Sequence, residues 1–94
     1  MRVKRDQFEI MADILENVRQ GYGSKSALMK NANLSFSILR KYLDYLKEKG
    51  YIEEKDNSYI ITDKGLDLLN RLNSVRKLEF QLAELINELS KELS

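Results

Sequence analysis

Residues 51–65 read YIEEKDNSYIITDKG. Two short segments, 51–55 and 58–62, flank Asp56-Asn57, a pair that tolerates the positive φ angles of a two-residue turn, so the stretch predicts a β-hairpin. Thr62 then stands where a helix N-cap belongs, and Asp63 faces the positive end of the helix that follows. Gly65 falls inside the first turn of that helix, where alanine would be better by roughly 1 kcal/mol. A glycine is tolerable there if the helix must start hard against its neighbours at the foot of the hairpin.

Upstream, the pattern is helical. Asp6 caps a first helix, with Glu9 three residues on as in a capping box. Phe8, Met11, Leu15 and Val18 recur at helical spacing and Ile14 widens the stripe. Gly21-Tyr22-Gly23 stops that helix. Ser24 caps a second, short helix through Ala27, Leu28 and Met29, which Asn31-Ala32-Asn33 breaks, leaving Leu34 buried in the turn. Ser35 caps a third helix with Leu39, Tyr42, Leu43 and Leu46 turned inward, and Gly50 ends it. Downstream, from Asp63 to Ser94, there is no proline and no glycine after Gly65, so one long helix is expected. Three helices, a hairpin and a long helix make a mostly α fold: a winged helix-turn-helix over residues 1–66, followed by a C-terminal helix over residues 67–94.

Composition narrows the chemistry. Ninety-four residues are enough for one small domain with a modest core. Cysteine and histidine are both absent, which removes the commonest metal ligands, the usual general base and the thiol nucleophile. Neither an enzyme nor a metal or other cofactor is expected. No apolar run approaches the ~20 residues of a membrane span and no signal pattern opens the chain, which points to a cytoplasmic protein. The net charge of +1 conceals segregation: residues 1–50 carry ten basic and six acidic side chains, whereas residues 78–94 carry four glutamates against Lys91. Between Asn17 and Leu43 there is no acidic residue at all. A basic middle beside an acidic tail marks two surfaces with different partners.

The stretches "FEIMADIL", "KSALMKNANLS", "YLDYLKEKGYIE" and "YIITDKGLDLL" together resemble the crenarchaeal 10a family over nearly the whole chain. That resemblance implies a small archaeal, nucleoid-associated chromatin protein that binds double-stranded DNA and dimerises through a long C-terminal helix forming an antiparallel coiled coil. In one respect the chain departs from a strongly DNA-gripping wing: Glu53, Glu54 and Asp56 surround Lys55, its only cation.

In a helix-turn-helix, the second helix of the pair enters the major groove with residues near its N-terminus. With Leu39, Leu43 and Leu46 inward, Ser37, Arg40, Lys41 and Asp44 lie on the opposite side. Arg40 is the candidate base reader, because its fork bonds two acceptors of guanine. Ser37 suits a base or a phosphate. Lys25, Lys30 and Lys41 suit phosphates, as do the backbone N–H groups after Ser24 and Ser35. Lys55 is the wing's candidate, and Arg2, Lys4 and Arg5 form a basic arm for an adjacent groove. Phe36 either packs against the second helix, the preferred reading, or meets a thymine methyl in the groove.

A helix over 63–94 is roughly 48 Å long at 1.5 Å per residue, against a winged domain on the order of 30 Å across. Leu68, Leu72, Val75, Leu82, Ile86, Leu89 and Leu93 keep heptad spacing along it, interrupted by Glu79, with Leu78 and Leu85 alongside. A second copy of the chain is the economical cover for this stripe, which predicts a homodimer. Its early part is basic (Arg71, Arg76, Lys77) and its later part acidic (Glu84, Glu88, Glu92), so antiparallel pairing centred near Leu82 is expected. That register sets Arg76 opposite Glu88, Leu78 opposite Ile86 and Val75 opposite Leu89. Two functions compete: a dimeric DNA-binding protein, architectural or transcription-regulatory, and a winged-helix adaptor for protein assemblies with no DNA contact.

Overall fold

The computed structural model describes residues 6–94; the basic arm at Arg2, Lys4 and Arg5 lies outside them. Helix α1 spans Gln7–Arg19, α2 Lys25–Ala32 and α3 Phe36–Glu48; strands β1 (Ile52–Lys55) and β2 (Ser58–Ile61) follow, and α4 spans Asp63–Leu93. This is the winged helix-turn-helix with a long C-terminal helix that the sequence pattern predicts.

Each boundary has a local cause. The Asp6 carboxylate accepts the Glu9 N–H (2.9 Å), Ser24 Oγ accepts that of Ala27 (3.2 Å) and Ser35 Oγ that of Ile38 (3.4 Å), satisfying donors that a helix start leaves unpaired. At its far end, α1 closes with Gly21 at φ +94°, its N–H on the Val18 carbonyl and that of Tyr22 on Asn17, the paired bonds of a Schellman motif. Helix α3 ends the same way, through Gly50 and Tyr51 onto Lys47 and Leu46. Helix α2 runs through Ala32, two residues into the breaker Asn31-Ala32-Asn33, because Asn33 takes up the left-handed conformation (φ 53°) that stops it. Asp56 and Asn57 both have positive φ, 51° and 63°, as a type I′ hairpin turn requires. The register pairs Ile52 with Ile61 and Glu54 with Tyr59.

The foot of the wing is the tightest junction. Thr62 Oγ1 accepts the Gly65 N–H (3.0 Å) and donates to the Gly50 carbonyl (2.7 Å), tying the end of α3 to the start of α4. A Cβ on Gly65 would stand 2.1 Å from the Tyr51 carbonyl oxygen and 2.7 Å from Ile61 Cγ1. Close approach is thus the reason for the glycine. A second such contact has no simple sequence signal: Gly23 comes so near β2 that its Cβ would lie 2.1 Å from the Tyr59 carbonyl oxygen. Its own carbonyl accepts the Tyr59 N–H (2.9 Å), and Ser24 bridges Ser58. The loop before α2 therefore acts as a third, minimal strand of the wing, besides stopping α1.

Ala12, Ile14, Leu15, Val18, Leu28, Leu39, Leu43, Leu46, Ile52, Tyr59, Leu69 and Leu72 form one buried cluster. The expected inward stripes of α1 and α3 supply half of it, but Phe8 is half exposed, and Met11, Leu34 and Tyr42 are only partly buried. Leu72, expected at the dimer interface, is 6% exposed in the single chain and belongs to the domain's own core. Leu69, outside the heptad stripe, is buried beside it. Positions 65, 69, 72 and 76 share one face of α4, and that face lies against α1: Arg76 Nη2 donates to the Glu9 carbonyl (2.9 Å) and to Asp13 Oδ1 (2.7 Å). Arg76, expected opposite Glu88 of a second chain, is thus engaged within its own. Beyond Arg76 the helix projects, and the molecule extends 56 × 26 × 20 Å. Among the described residues no helix is long and apolar enough to cross a membrane.

Gly65→Ala is expected to destabilise the fold by about 1–3 kcal/mol, the usual cost of overpacking, even though alanine is the better helix former by roughly 1 kcal/mol. Urea unfolding of the two proteins measures the difference, and a gain in stability would show that the Tyr51 carbonyl yields without cost.

Candidate nucleic-acid interface

The turn between α2 and α3 is built from Asn33, Leu34 and Ser35. The left-handed Asn33 reverses the chain, Leu34 anchors it on the core, and the Ser35 cap starts α3 at a defined angle. Because Leu39, Leu43 and Leu46 are pinned inside, Ser37, Arg40, Lys41 and Asp44 are all exposed on the outer side of α3. Ser35 is exposed as well, its hydroxyl capping Ile38 and lying 3.4 Å from Ser37 Oγ. Phe36, for which packing against α2 was the preferred reading, is instead 47% exposed at the first position of α3. The domain's core closes at Leu39, one turn further in, so the ring has no apolar slot and stands on the same outer end as Ser37.

Lys25 and Lys30 are exposed on α2. No acidic residue separates them in the sequence from Arg40 and Lys41, but in the fold Glu54 of the wing comes within electrostatic range of Lys25. Arg40 and Asp44 approach only to 3.9 Å with both side chains about 70% exposed, too loose and too wet to neutralise the guanidinium. Past this point α3 changes sign: Asp44 and Glu48 are exposed on its second half. The exposed cations Lys25, Lys30, Arg40 and Lys41 thus lie on α2 and the first two turns of α3.

The wing contributes differently from a phosphate clamp. Lys55 is exposed at the hairpin end, among Glu53, Glu54 and Asp56. Glu54 turns back onto α3 and accepts a hydrogen bond from Lys47 Nζ at 3.0 Å. That hydrogen bond and the attraction behind it hold the Glu54 carboxyl below its ordinary value and raise the Lys47 ammonium. Lys47 was not among the expected contacts, yet it sits seven residues after Arg40 and so on the same helical flank, a spacing that would have found it. Two other cations are also engaged: Lys49 lies over the Tyr45 ring, and Lys64 lies over Tyr51 and donates to the Lys49 carbonyl.

On α4, the heptad positions past the core remain uncovered in the single chain. Val75, Leu78, Leu82, Leu85, Ile86, Leu89 and Leu93 are all substantially exposed, Leu93 at 85%, and Glu79 is exposed among them. Phe80, which no heptad position predicted, is exposed too. Contiguous apolar surface on this scale marks an interaction surface rather than a wetted one.

The chain belongs to the winged helix-turn-helix family, whose sequence profile matches residues 4–80. Within that class, its structure superposes on the crystal structure of Sso10a-2, a DNA-binding protein from Sulfolobus solfataricus, with a TM-score of 0.82 and 27% identity, covering 96% of this chain and 98% of that one. The activation domain of the phage T4 transcription factor MotA shares the fold, with a TM-score of 0.59 and 15% identity over 88% of this chain and 86% of its own. Two Methanocaldococcus jannaschii proteins are related in sequence. MJ0287 is 31% identical over 92% of this chain and 81% of its own length. MJ0290 is 36% identical over 81% of this chain, which spans about a third of it, 36% of its length.

The hydrogen bond from Lys47 holds the Glu54 carboxyl below its ordinary range, so its contribution to stability is present above the ordinary carboxylate range and is lost as pH falls through the lower, folded value. An NMR titration of the wing should place its midpoint below the ordinary carboxylate range, and Lys47→Met should return it toward that range. A midpoint unmoved by Lys47→Met would mean that the pair does not persist in solution.

Proposed function

We propose that the protein is a homodimeric, winged-helix DNA-binding protein of the 10a type. The observation that carries the reading is the set of exposed cations Lys25, Lys30, Arg40 and Lys41 on α2 and the first half of α3, in a stretch with no acidic residue between Asn17 and Leu43, on a fold that follows Sso10a-2 along almost its entire length. Helix α3 enters the major groove by its N-terminal half. Arg40 reads a base edge; Ser37 and Phe36 lie at the same end; Lys25, Lys30 and Lys41 hold phosphates. Ser35 contributes through the helix start it caps, and Lys55 and the Arg5 arm are secondary contacts. The wing is a minor partner, since Glu54 occupies Lys47 and surrounds Lys55 with negative charge. Affinity then comes mainly from phosphate contacts, which makes binding strongly salt-dependent.

Dimerisation runs through Val75, Leu78, Leu82, Leu85, Ile86, Leu89 and Leu93, with Glu79 as a polar seam position and Leu72 supporting the seam from inside the domain. Arg76 is taken by Asp13 and Arg71 lies against Asp67 of its own helix, which leaves Lys77 at the basic end; the antiparallel arrangement is retained because parallel pairing would set Glu84, Glu88 and Glu92 of the two chains against one another. Winged domains at opposite ends of such a coil suit bending or bridging of DNA in a chromatin role.

Arg40→Ala is expected to weaken duplex binding by about 1–3 kcal/mol and flatten sequence preference, and Lys41→Ala to lower the salt slope by about one, both with little change in thermal midpoint. Gel shifts at several salt concentrations read these effects. Unchanged affinity in both variants moves the DNA surface off α3, and a wild-type chain that binds no duplex at low salt leaves the adaptor reading in its place.

The full chain is expected to sediment as a dimer and a chain ending at Lys77, which keeps Leu69, Leu72 and Arg76, as a monomer. Glu79→Leu should raise dimer stability. A marked loss would show that Glu79 has a specific partner across the seam.

A further inference from the structure

Three elements bring charge to one point on the wing. Lys47 of α3 donates to Glu54 Oε1 of β1 at 3.0 Å, and the two side chains stay 52% and 38% exposed. The same carboxylate is held below its ordinary range first by this hydrogen bond, then by the charge of Lys47, and from α2 by the charge of Lys25 as well. Helix α2 reaches the wing because its cap Ser24 bridges Ser58 and the Gly23 carbonyl accepts the Tyr59 N–H. Tyr59 is in turn the partner of Glu54 across the hairpin. Two cations from separate helices that converge on one carboxylate make an anion seat, and the wing fills it with its own side chain.

The seat lies where a duplex backbone would pass. Lys47 follows Arg40 by seven residues on the same flank of α3, which puts it about 10 Å further along the helix axis. The major groove is about 12 Å wide, so with Arg40 at the base edges a cation that far along meets the sugar-phosphate backbone bordering the groove. Asp44 also acts on Lys47, through charge alone; Glu54 is the acid that holds its ammonium by a hydrogen bond.

We propose that Glu54 is a built-in stand-in for a DNA phosphate: it occupies Lys47 in the free protein, and on binding a backbone phosphate displaces it and takes Lys47. The inference rests on the DNA reading above and adds to it a contact that the free chain conceals. Exchange favours the duplex for a physical reason. An exposed carboxylate pair contributes little, whereas a phosphate contact also releases a condensed counterion. The cost of evicting Glu54 falls on every duplex alike, since phosphates carry no sequence information. Glu54 is thus a brake on affinity that leaves base reading by Arg40 untouched.

Duplex titrations of the full chain at several salt concentrations test this. Glu54→Gln keeps the size of the side chain and removes its charge, and it should tighten binding roughly threefold to tenfold, the scale of one close charge in a water-like dielectric. Glu53→Gln is the control: it removes the same charge from the other face of the hairpin, where Glu53 pairs with Ile60, and should change affinity far less. Lys47→Met should lower the salt slope by about one, as loss of a phosphate contact does. In the Lys47→Met background, Glu54→Gln should give no more than the Glu53→Gln gain. All of these side chains are exposed, and thermal midpoints verify that the variants are folded. Unchanged affinity in Glu54→Gln, an equal gain in Glu53→Gln, or an unaltered salt slope in Lys47→Met each overturns the exchange and leaves duplex binding by Arg40 and Lys41 standing. If neither the wild type nor Glu54→Gln binds duplex at low salt, the DNA reading itself falls, and the exchange with it.

Discussion

The close approach of Gly65 to the Tyr51 carbonyl is the constraint on which the rest of the structure depends. It brings the start of α4 against the end of α3, and Thr62 locks the junction by serving as helix cap and as donor to Gly50 in one side chain. From there α4 has a single available direction, along α1, which puts Leu69 and Leu72 into the core and Arg76 on Asp13. The hairpin is held from its other side by Gly23, whose carbonyl bonds β2. Two glycines that admit backbone where a side chain would not fit thus frame the wing. Surface ion pairs, each worth roughly 0–1 kcal/mol, do not carry this organisation.

The same geometry apportions charge. Turning the wing toward α3 brings Glu54 within 3.0 Å of Lys47, so one acid of the wing and one cation of α3 are paired, while Glu53 and Asp56 remain exposed. What remains available to an anionic partner is the α2 surface and the first half of α3, before Asp44 and Glu48 reverse the sign. A protein of net charge +1 concentrates cations on α2 and the first half of α3 because its acidic residues fall on α1, the second half of α3, the wing and α4. Association steered by such a face is sensitive to ionic strength in a way that net charge alone does not reveal.

Helix α4 works as two helices in one. Over its first four turns the face at 65, 69, 72 and 76 belongs to the winged domain; the neighbouring stripe from Val75 to Leu93 carries the exposed apolar surface. The two stripes adjoin because a straight α-helix drifts about 20° per heptad against a strict seven-residue repeat. Leu72 lies where they meet, which is why heptad spacing alone assigns it to a partner while packing assigns it to the core.

The order of elements, the helix caps at Asp6, Ser24, Ser35 and Thr62, the type I′ turn at Asp56-Asn57 and the inward leucines of α3 were all legible in the sequence, because each depends on residues within about one helical turn of one another. The outward set Ser37, Arg40, Lys41 and Asp44 followed from the same periodicity. Tertiary structure alone decided what depends on residues far apart in the chain. It joined Gly23 to Tyr59, turned Glu54 onto Lys47, gave Arg76 to Asp13 instead of to Glu88, buried Leu69 and Leu72, and left Phe36 and Phe8 half exposed. Side-chain pattern records which face of an element is apolar, but which neighbour covers that face is settled only when distant segments compete for the same surface.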